Sequence, residues 1–390
     1  MKRILTTLAI CLVAILSVNA QELANFNRGR AAPVVSPEIQ GDSVTFRFRA
    51  DYATYVKLSP SWRANPNGGA VDMVRGANNV WSVKLPLPAP EIYTYNFVVD
   101  GVAVNDPQNI LVQRDGTRFL NMLIVPGTRT ENYTEANQRG TVSHPWYDSK
   151  VLGINRRLTV YTPYGYENNP KKKYPVLYLL HGAGGDEEAW ISMGRTAQIL
   201  DNLIEKGLAE PMIVVMPNGN ANQQAAATLG IPTKQQARVD RNALQSLPEA
   251  ERNRVANGYV VSLREEIVPF IEKNFRVIAK PEARAIAGLS MGGGHTITAS
   301  NLYPQMFDYI CPLSAAGSAS PEQVAALKKA GVKLYFLACG DADFLFEGSK
   351  TLDKTLTEQG LDHEFFVSEG GHVWANWRLY LNTFARKLFK

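Results

Sequence analysis

Gly288-Leu289-Ser290-Met291-Gly292 follows directly on the apolar, strand-like run Ala283–Ala287. A Gly-x-Ser-x-Gly turn between a strand and a helix lifts the serine hydroxyl clear of a sheet, beside helix N-terminal N–H groups. That arrangement suits nucleophilic attack on a carbonyl carbon. A serine hydroxyl is a poor nucleophile until a base takes its proton, and the base must be held in one tautomer by an acid. The turn therefore implies a histidine and a carboxylate further along the chain.

Five histidines are available. His144 lies before the first strand of the region that carries the turn. His295 stands five residues past Ser290, too far along the same helix to reach back. His363 precedes the last strand, at its wrong end. His372 follows that strand, Glu364–Val367, in the loop Ser368-Glu369-Gly370-Gly371-His372, and is the expected base. His181, in Leu180-His181-Gly182-Ala183-Gly184-Gly185, is read as a loop-shaping residue. A Gly-rich run after a strand suits an oxyanion site, because backbone N–H groups approach a substrate only where no side chain blocks them. The expected donors are the N–H of Met291 and that of Gly182 or Ala183. For the acid, Asp341 and Asp343 both follow the strand-like Leu334–Ala338 and both fit the order serine, acid, histidine; Asp343 is preferred.

These residues need a scaffold that brings them to one edge. From 140 to 390, strand-like runs alternate with helical ones: Val176–Leu180, Met212–Met216, Ala283–Ala287, Tyr309–Leu313, Leu334–Ala338 and Glu364–Val367 are separated by amphipathic stretches such as Tyr259–Asn274. Regular βα alternation predicts an α/β domain with a mostly parallel sheet covered on both faces, its site at the carboxyl ends of the strands. Residues 30–127 read differently. Short period-two runs (Val44–Phe48, Tyr55–Leu58, Trp81–Leu85, Tyr93–Val99) between turn signals predict an all-β, immunoglobulin-like sandwich. Asn65-Pro66-Asn67-Gly68-Gly69 is one such turn, and Asp100-Gly101 is a two-residue hairpin turn. The polar stretch 128–139 is the expected linker.

Met1–Ala20 has the pattern of a secretory signal: Lys2-Arg3, an apolar run from Ile4 to Val18, then Val18-Asn19-Ala20. Export to the periplasm or medium is expected, with no membrane attachment after cleavage. The net charge of +5 is too weak to argue for nucleic acid. Cys311 and Cys339 remain after cleavage, in apolar runs where small buried thiols are common. They show no zinc spacing, and neither a metal nor a cofactor is implied.

The stretches Tyr178–Gly182 with Trp190, Met216–Asn220, Glu266–Arg276, Gly288–Gly293, Cys339-Gly340 with Asp343, and Gly370-Gly371-His372 with Trp374 and Trp377 give residues 140–390 a further meaning. In this order and spacing the chain resembles carbohydrate esterase family 1, the feruloyl and acetylxylan esterases of the α/β-hydrolase fold. The resemblance implies Asp343 as the acid, and Trp190, Asn218, Trp374 and Trp377 as candidate substrate contacts. Val373 and the Gln/Asn/Ala-rich loop Asn220–Asn257 depart from the pattern, at the site rim and the substrate mouth. Val44–Phe48, Gly76–Leu85 and Tyr93–Gly101 with Asp106-Pro107 resemble a family-48 carbohydrate-binding or early-set module, whose Trp62 and Tyr52 are candidate sugar stackers. The implied function is hydrolysis of feruloyl or acetyl esters on plant polysaccharide such as xylan, with polysaccharide or oligosaccharide esters as partners. Rival readings are a siderophore trilactone esterase, an acyltransferase to sugar, and a non-catalytic polysaccharide-binding protein.

Overall fold

Period-two patterning in the first third of the chain becomes two antiparallel sheets. The computed structural model describes residues 34–63, 69–231, 246, 248 and 257–390. The leader, the turn residues 65–68 and much of the loop from 220 to 257 lie outside the described residues. One sheet orders Glu38–Gln40, Ser43–Arg49, Val80–Pro86 and Val74–Arg75; the other orders Val71–Asp72, Val56–Pro60, Ile92–Val99, Arg118–Ile124 and Val112–Asp115. Alternate residues turn inward, so Val44, Phe46, Leu58, Trp81, Tyr95 and Phe97 form one buried core. Asp100 and Gly101 both take positive φ, 46° and 89°, and close the expected hairpin onto Val102–Val104.

The segment joining the sheets to the rest of the chain is not a free tether. Tyr133 is fully buried in the core of the second domain, Asn132 is buried, and Arg195 Nε donates to the Tyr133 carbonyl at 3.0 Å. Polar groups of the expected linker bond to the helix Thr196–Glu205 and its end: Asn202 donates to the Thr134 carbonyl and Lys206 to Asn132 Oδ1.

In the second domain the strands are β1 (Ile154–Thr162), β2 (Val176–Leu180), β3 (Ile213–Pro217), β4 (Arg284–Leu289), β5 (Tyr309–Leu313), β6 (Leu334–Gly340) and β7 (Glu364–Ser368). Their order is β1-β3-β2-β4-β5-β6-β7, with β1 antiparallel to β3 and the others parallel. Short strands Thr141–Ser143 and Trp146–Ser149 pair with β1. The inner strands are buried throughout, because helices cover both faces. On β4, Ile286 enters one core cluster while Ala285, Ala287 and Leu289 enter the other. The helix expected over 259–274 runs from Gly258 to Asn274 and widens to a π turn at Leu263–Ile267.

This strand order fixes where a site can form. The chain leaves β2 toward β3 on one side and returns to β4 on the other, so the loops after β2 and β4 part. A crevice opens at their carboxyl ends. The first loop begins at His181 and the second holds Ser290.

Candidate active site

Ser290 sits between β4 and the helix α1 (Met291–Leu302), with φ 54° and ψ −116°. An L-residue in that region costs on the order of 1–3 kcal/mol and persists only when its surroundings enforce it. Here they do. The Ser290 N–H donates to the Leu313 carbonyl at 2.9 Å, and the Gly294 N–H to the Ser290 carbonyl at 2.9 Å. A Cβ on Gly292 would lie 2.6 Å from the carbonyl oxygens of both Leu180 and His181. The glycine lets α1 start directly against β2, which forces the sharp turn.

His372 and the aspartates meet where the loops after β6 and β7 pack together. Gly340 has no room for a Cβ, because the Gly370 carbonyl lies against it. The Ala342 N–H donates to the Gly370 carbonyl and the Gly370 N–H to Asp341 Oδ1. Asp341 is thus a tether between loops. Asp343, with its side chain fully buried, accepts from His372 Nδ1 at 2.9 Å (Oδ2) and 3.1 Å (Oδ1), and from the Leu345 N–H at 2.9 Å. Of the two aspartates, Asp343 is the one the structure brings to the imidazole.

With Nδ1 on the carboxylate, Nε2 is left for a proton from substrate or nucleophile. Ser290 and His372 line the same cleft, of about 600 Å³, although no hydrogen bond joins the hydroxyl to the ring. Such bonds are often long before substrate binds. The Phe344 ring lies tilted against the His372 ring with centroids 4.5 Å apart, and Trp377 meets the imidazole edge to face at 4.9 Å. Gly182 and Ala183 line the cleft opposite, and a Cβ on Gly182 would lie 3.2 Å from Ser290 Cβ. The Met291 N–H, first in α1, has no intrahelical acceptor and is free for a ligand.

The other histidines stand away from the hydroxyl. His181 is buried; it accepts from the Gly219 N–H at Nε2 (2.7 Å), so Nδ1 carries the proton and donates to the Gly182 carbonyl (2.7 Å). It ties the glycine loop to the loop after β3, and burial lowers its pKa. His363 pairs with Asp353 and His144 with Thr159.

Two of the candidate substrate contacts are buried. Trp190 is 1% exposed, with its indole N–H on the Leu180 carbonyl at 2.9 Å, so its ring is a wall of the core. Asn218 is likewise buried; its amide donates to Glu187 and Gln223, and its oxygen accepts from the Asn220 N–H. Neither side chain is among the described residues lining the cleft. Trp374 and Trp377 do line the cleft, edge to face at 5.1 Å. In the sandwich, Tyr52 is exposed, whereas Trp62 packs on Phe46 and Tyr93. Cys311 and Cys339, read from the sequence as small buried thiols, are both free and buried, and burial raises both thiol pKa values, that of Cys339 to about 11.

Sequence reasoning missed the far wall of the cleft. Tyr93, Thr94 and Gln113 of the sandwich line it, as do Glu91 and Asp115. The sandwich is seated there by buried ion pairs: Arg114 with Asp186 (2.5 Å) and Glu188 (3.1 Å), and Glu91 with Arg378 (2.9 Å). Nothing in local patterning marks such partners, which lie dozens to hundreds of residues apart.

With this geometry in place, likeness to known proteins can be stated. Residues 149–332, just under half of the chain, match the family model described as "Putative esterase". An endo-1,4-beta-xylanase/feruloyl esterase from Xylanibacter ruminicola is 32% identical over 353 residues, covering 88% of this chain and 44% of that relative. The chain thus spans less than half of that relative's length. A solved ferulic acid esterase is 28% identical with a TM-score of 0.50, covering 65% of this chain and all of the other. The enterobactin esterase of Shigella flexneri shares the fold across both domains: TM-score 0.59, 17% identity, 89% of this chain and 92% of that one. The stretch from 149 to 332, which holds the glycine loop and Ser290, is thus the part that matches the esterase model, and the mostly parallel sheet that carries it is joined to a β-sheet-rich N-terminal domain.

Proposed function

We propose that the protein is a serine carboxylic ester hydrolase that removes feruloyl or acetyl groups from plant cell-wall polysaccharide such as xylan. One observation carries the reading. The buried Asp343 carboxylate holds His372 Nδ1, and the ring shares its cleft with a strained Ser290 in an esterase-family fold. Ser290 Oγ attacks the ester carbonyl carbon while its proton passes to His372 Nε2. The N–H of Met291 and that of Gly182 or Ala183 hold the oxyanion. The carbon–oxygen bond to the sugar then breaks, and His372 returns the proton to the departing hydroxyl. Water repeats the sequence on the acyl-enzyme, releasing the acid and restoring Ser290.

The acyl group and its carrier rest on likeness to the feruloyl esterases. Export rests on the leader, and the mature protein is expected to begin at Gln21 by mass spectrometry. Methyl ferulate and acetylated xylan, offered separately, test the substrate class. Release of acetate alone makes the protein a deacetylase, and turnover of neither removes the reading. The enterobactin esterase likeness raises a trilactone as a second substrate class. Against it, Arg378 is the one Lys or Arg among the described residues lining the cleft, and it is 2% exposed and paired with Glu91 at 2.9 Å.

A further inference from the structure

Resting on the esterase reading, we infer that Glu91, a sandwich residue, is a positioning residue for the catalytic histidine, acting through Arg378. The N-terminal domain is thereby part of the catalytic unit even for the smallest esters.

Glu91 opens the strand Ile92–Val99 and is 6% exposed. Its Oε1 accepts from Arg378 Nη2 at 2.9 Å and Nε at 3.2 Å, and its Oε2 from Arg129 Nε at 2.6 Å. Arg378 is 2% exposed and also donates to the Met193 and Ile92 carbonyls. It lies on the helix Trp374–Phe384, which begins two residues after His372. Arg129 grips the first turn of the same helix, donating Nη2 to the Ala375 carbonyl at 3.1 Å. One carboxylate from the other domain therefore fixes the helix at two points.

What this helix carries decides the consequence. Trp377, next to Arg378, presses its edge on the His372 ring and anchors its indole N–H on Ser314 Oγ at 3.0 Å. Asn376 donates to the Gly371 carbonyl, holding the loop on which His372 sits. A rotation or slide of the helix would move both contacts, and with them Nε2 relative to Ser290. Asp343 fixes only the other ring nitrogen. Since Ser290 and His372 are not yet hydrogen-bonded, the final alignment depends on this outer support.

The test is Glu91→Gln on p-nitrophenyl acetate and methyl ferulate, esters too short to use any polysaccharide surface. The amide keeps the shape but removes the charge that holds two guanidinium groups. The expected result is a kcat lower by about ten- to hundredfold, the usual effect of a misplacement near 1 Å, with KM changed less than about threefold. Labelling of Ser290 by a fluorophosphonate should slow in parallel. Because the single variant leaves a buried cation unpaired, the double variant Glu91→Ala/Arg378→Met is the second measurement. It should melt closer to the wild type than the single variant does, yet keep the low kcat. Wild-type kcat in Glu91→Gln overturns the inference, and so does recovery of kcat together with stability in the double variant. A wild-type protein inert on both esters removes the esterase reading itself, and this inference with it.

Discussion

Ser290 and His372 face one cleft but are held in opposite ways. Ser290 is fixed by backbone crowding within a few strands: Gly292 against the ends of β2, and the serine N–H on the β5 end. His372 is fixed by side chains reaching in from several places: Asp343 from the loop after β6, Asn376 and Trp377 from the next helix, and behind them Glu91 from the other domain. Crowding leaves one position and tolerates no added atom. A polar scaffold can be weakened by degrees. The nucleophile should therefore fail abruptly on substitution, and the base in steps.

The largest effect expected is at the abrupt end. Ser290→Ala should lower kcat on methyl ferulate by about 10⁶-fold, leaving only what binding and oxyanion contacts supply. Activity within tenfold of the wild type would remove Ser290 as nucleophile. On the His372 side the aspartates separate the contributions. Asp343→Asn presents an amide to the ring, disturbs the tautomer and should cost about 10⁴-fold in kcat. Asp341→Asn keeps an acceptor oxygen for the Gly370 N–H, removes only an exposed charge, and should change kcat by less than about tenfold, since the Ala342–Gly370 bond also remains. Equal losses at the two positions would mean that loop geometry, and not the acid, is what matters.

The same contrast explains what could be read in the chain. Ser290, the glycine loop and the βα alternation announce themselves over a few residues, because short-range sterics and burial on both faces dictate them. Asp343 was distinguishable from Asp341 only by preference, since both follow one strand; the buried carboxylate on His372 decides it. Trp190 and Asn218 lie in matching stretches yet are buried supports, which spacing cannot distinguish from ligand contacts. Glu91 gave no signal at all. Its partner Arg378 is 287 residues away, and a lone glutamate before a strand is ordinary. Polar composition likewise hid the packing of Tyr133 and Asn132, whose neighbours come from distant helices.

Gly292→Ala sharpens the contrast in stability. The new methyl would meet two backbone carbonyls, that of Leu180 at the end of β2 and that of His181 just after it. The expected cost is about 3 kcal/mol, the upper end for overpacking, read as a lower urea midpoint. An unchanged midpoint would show that the turn is softer than its contacts suggest, and the abrupt side of the cleft would lose its explanation.

A smaller effect should come from acid. His295 lies on α1 behind the nucleophile, its ring 4.8 Å from Tyr259 and its Nδ1 without a partner. Burial first, and then the charge of nearby His181, lowers its pKa from 6.5 to about 4. The folded protein therefore holds this ring neutral where the unfolded chain protonates it. Stability from this site is complete above about pH 6.5 and is lost as the pH falls from there toward 4. By pH 5 the loss amounts to about 2 kcal/mol at most. His181 and His144, also lowered by burial, add to the same slope. Melting temperatures at pH 7.5 and pH 5 should differ less in His295→Gln than in the wild type. Equal differences would place the acid sensitivity elsewhere. A smaller difference in the variant would put it on the crowded Ser290 side of the cleft, at a buried ring whose Nδ1 has no hydrogen-bond partner.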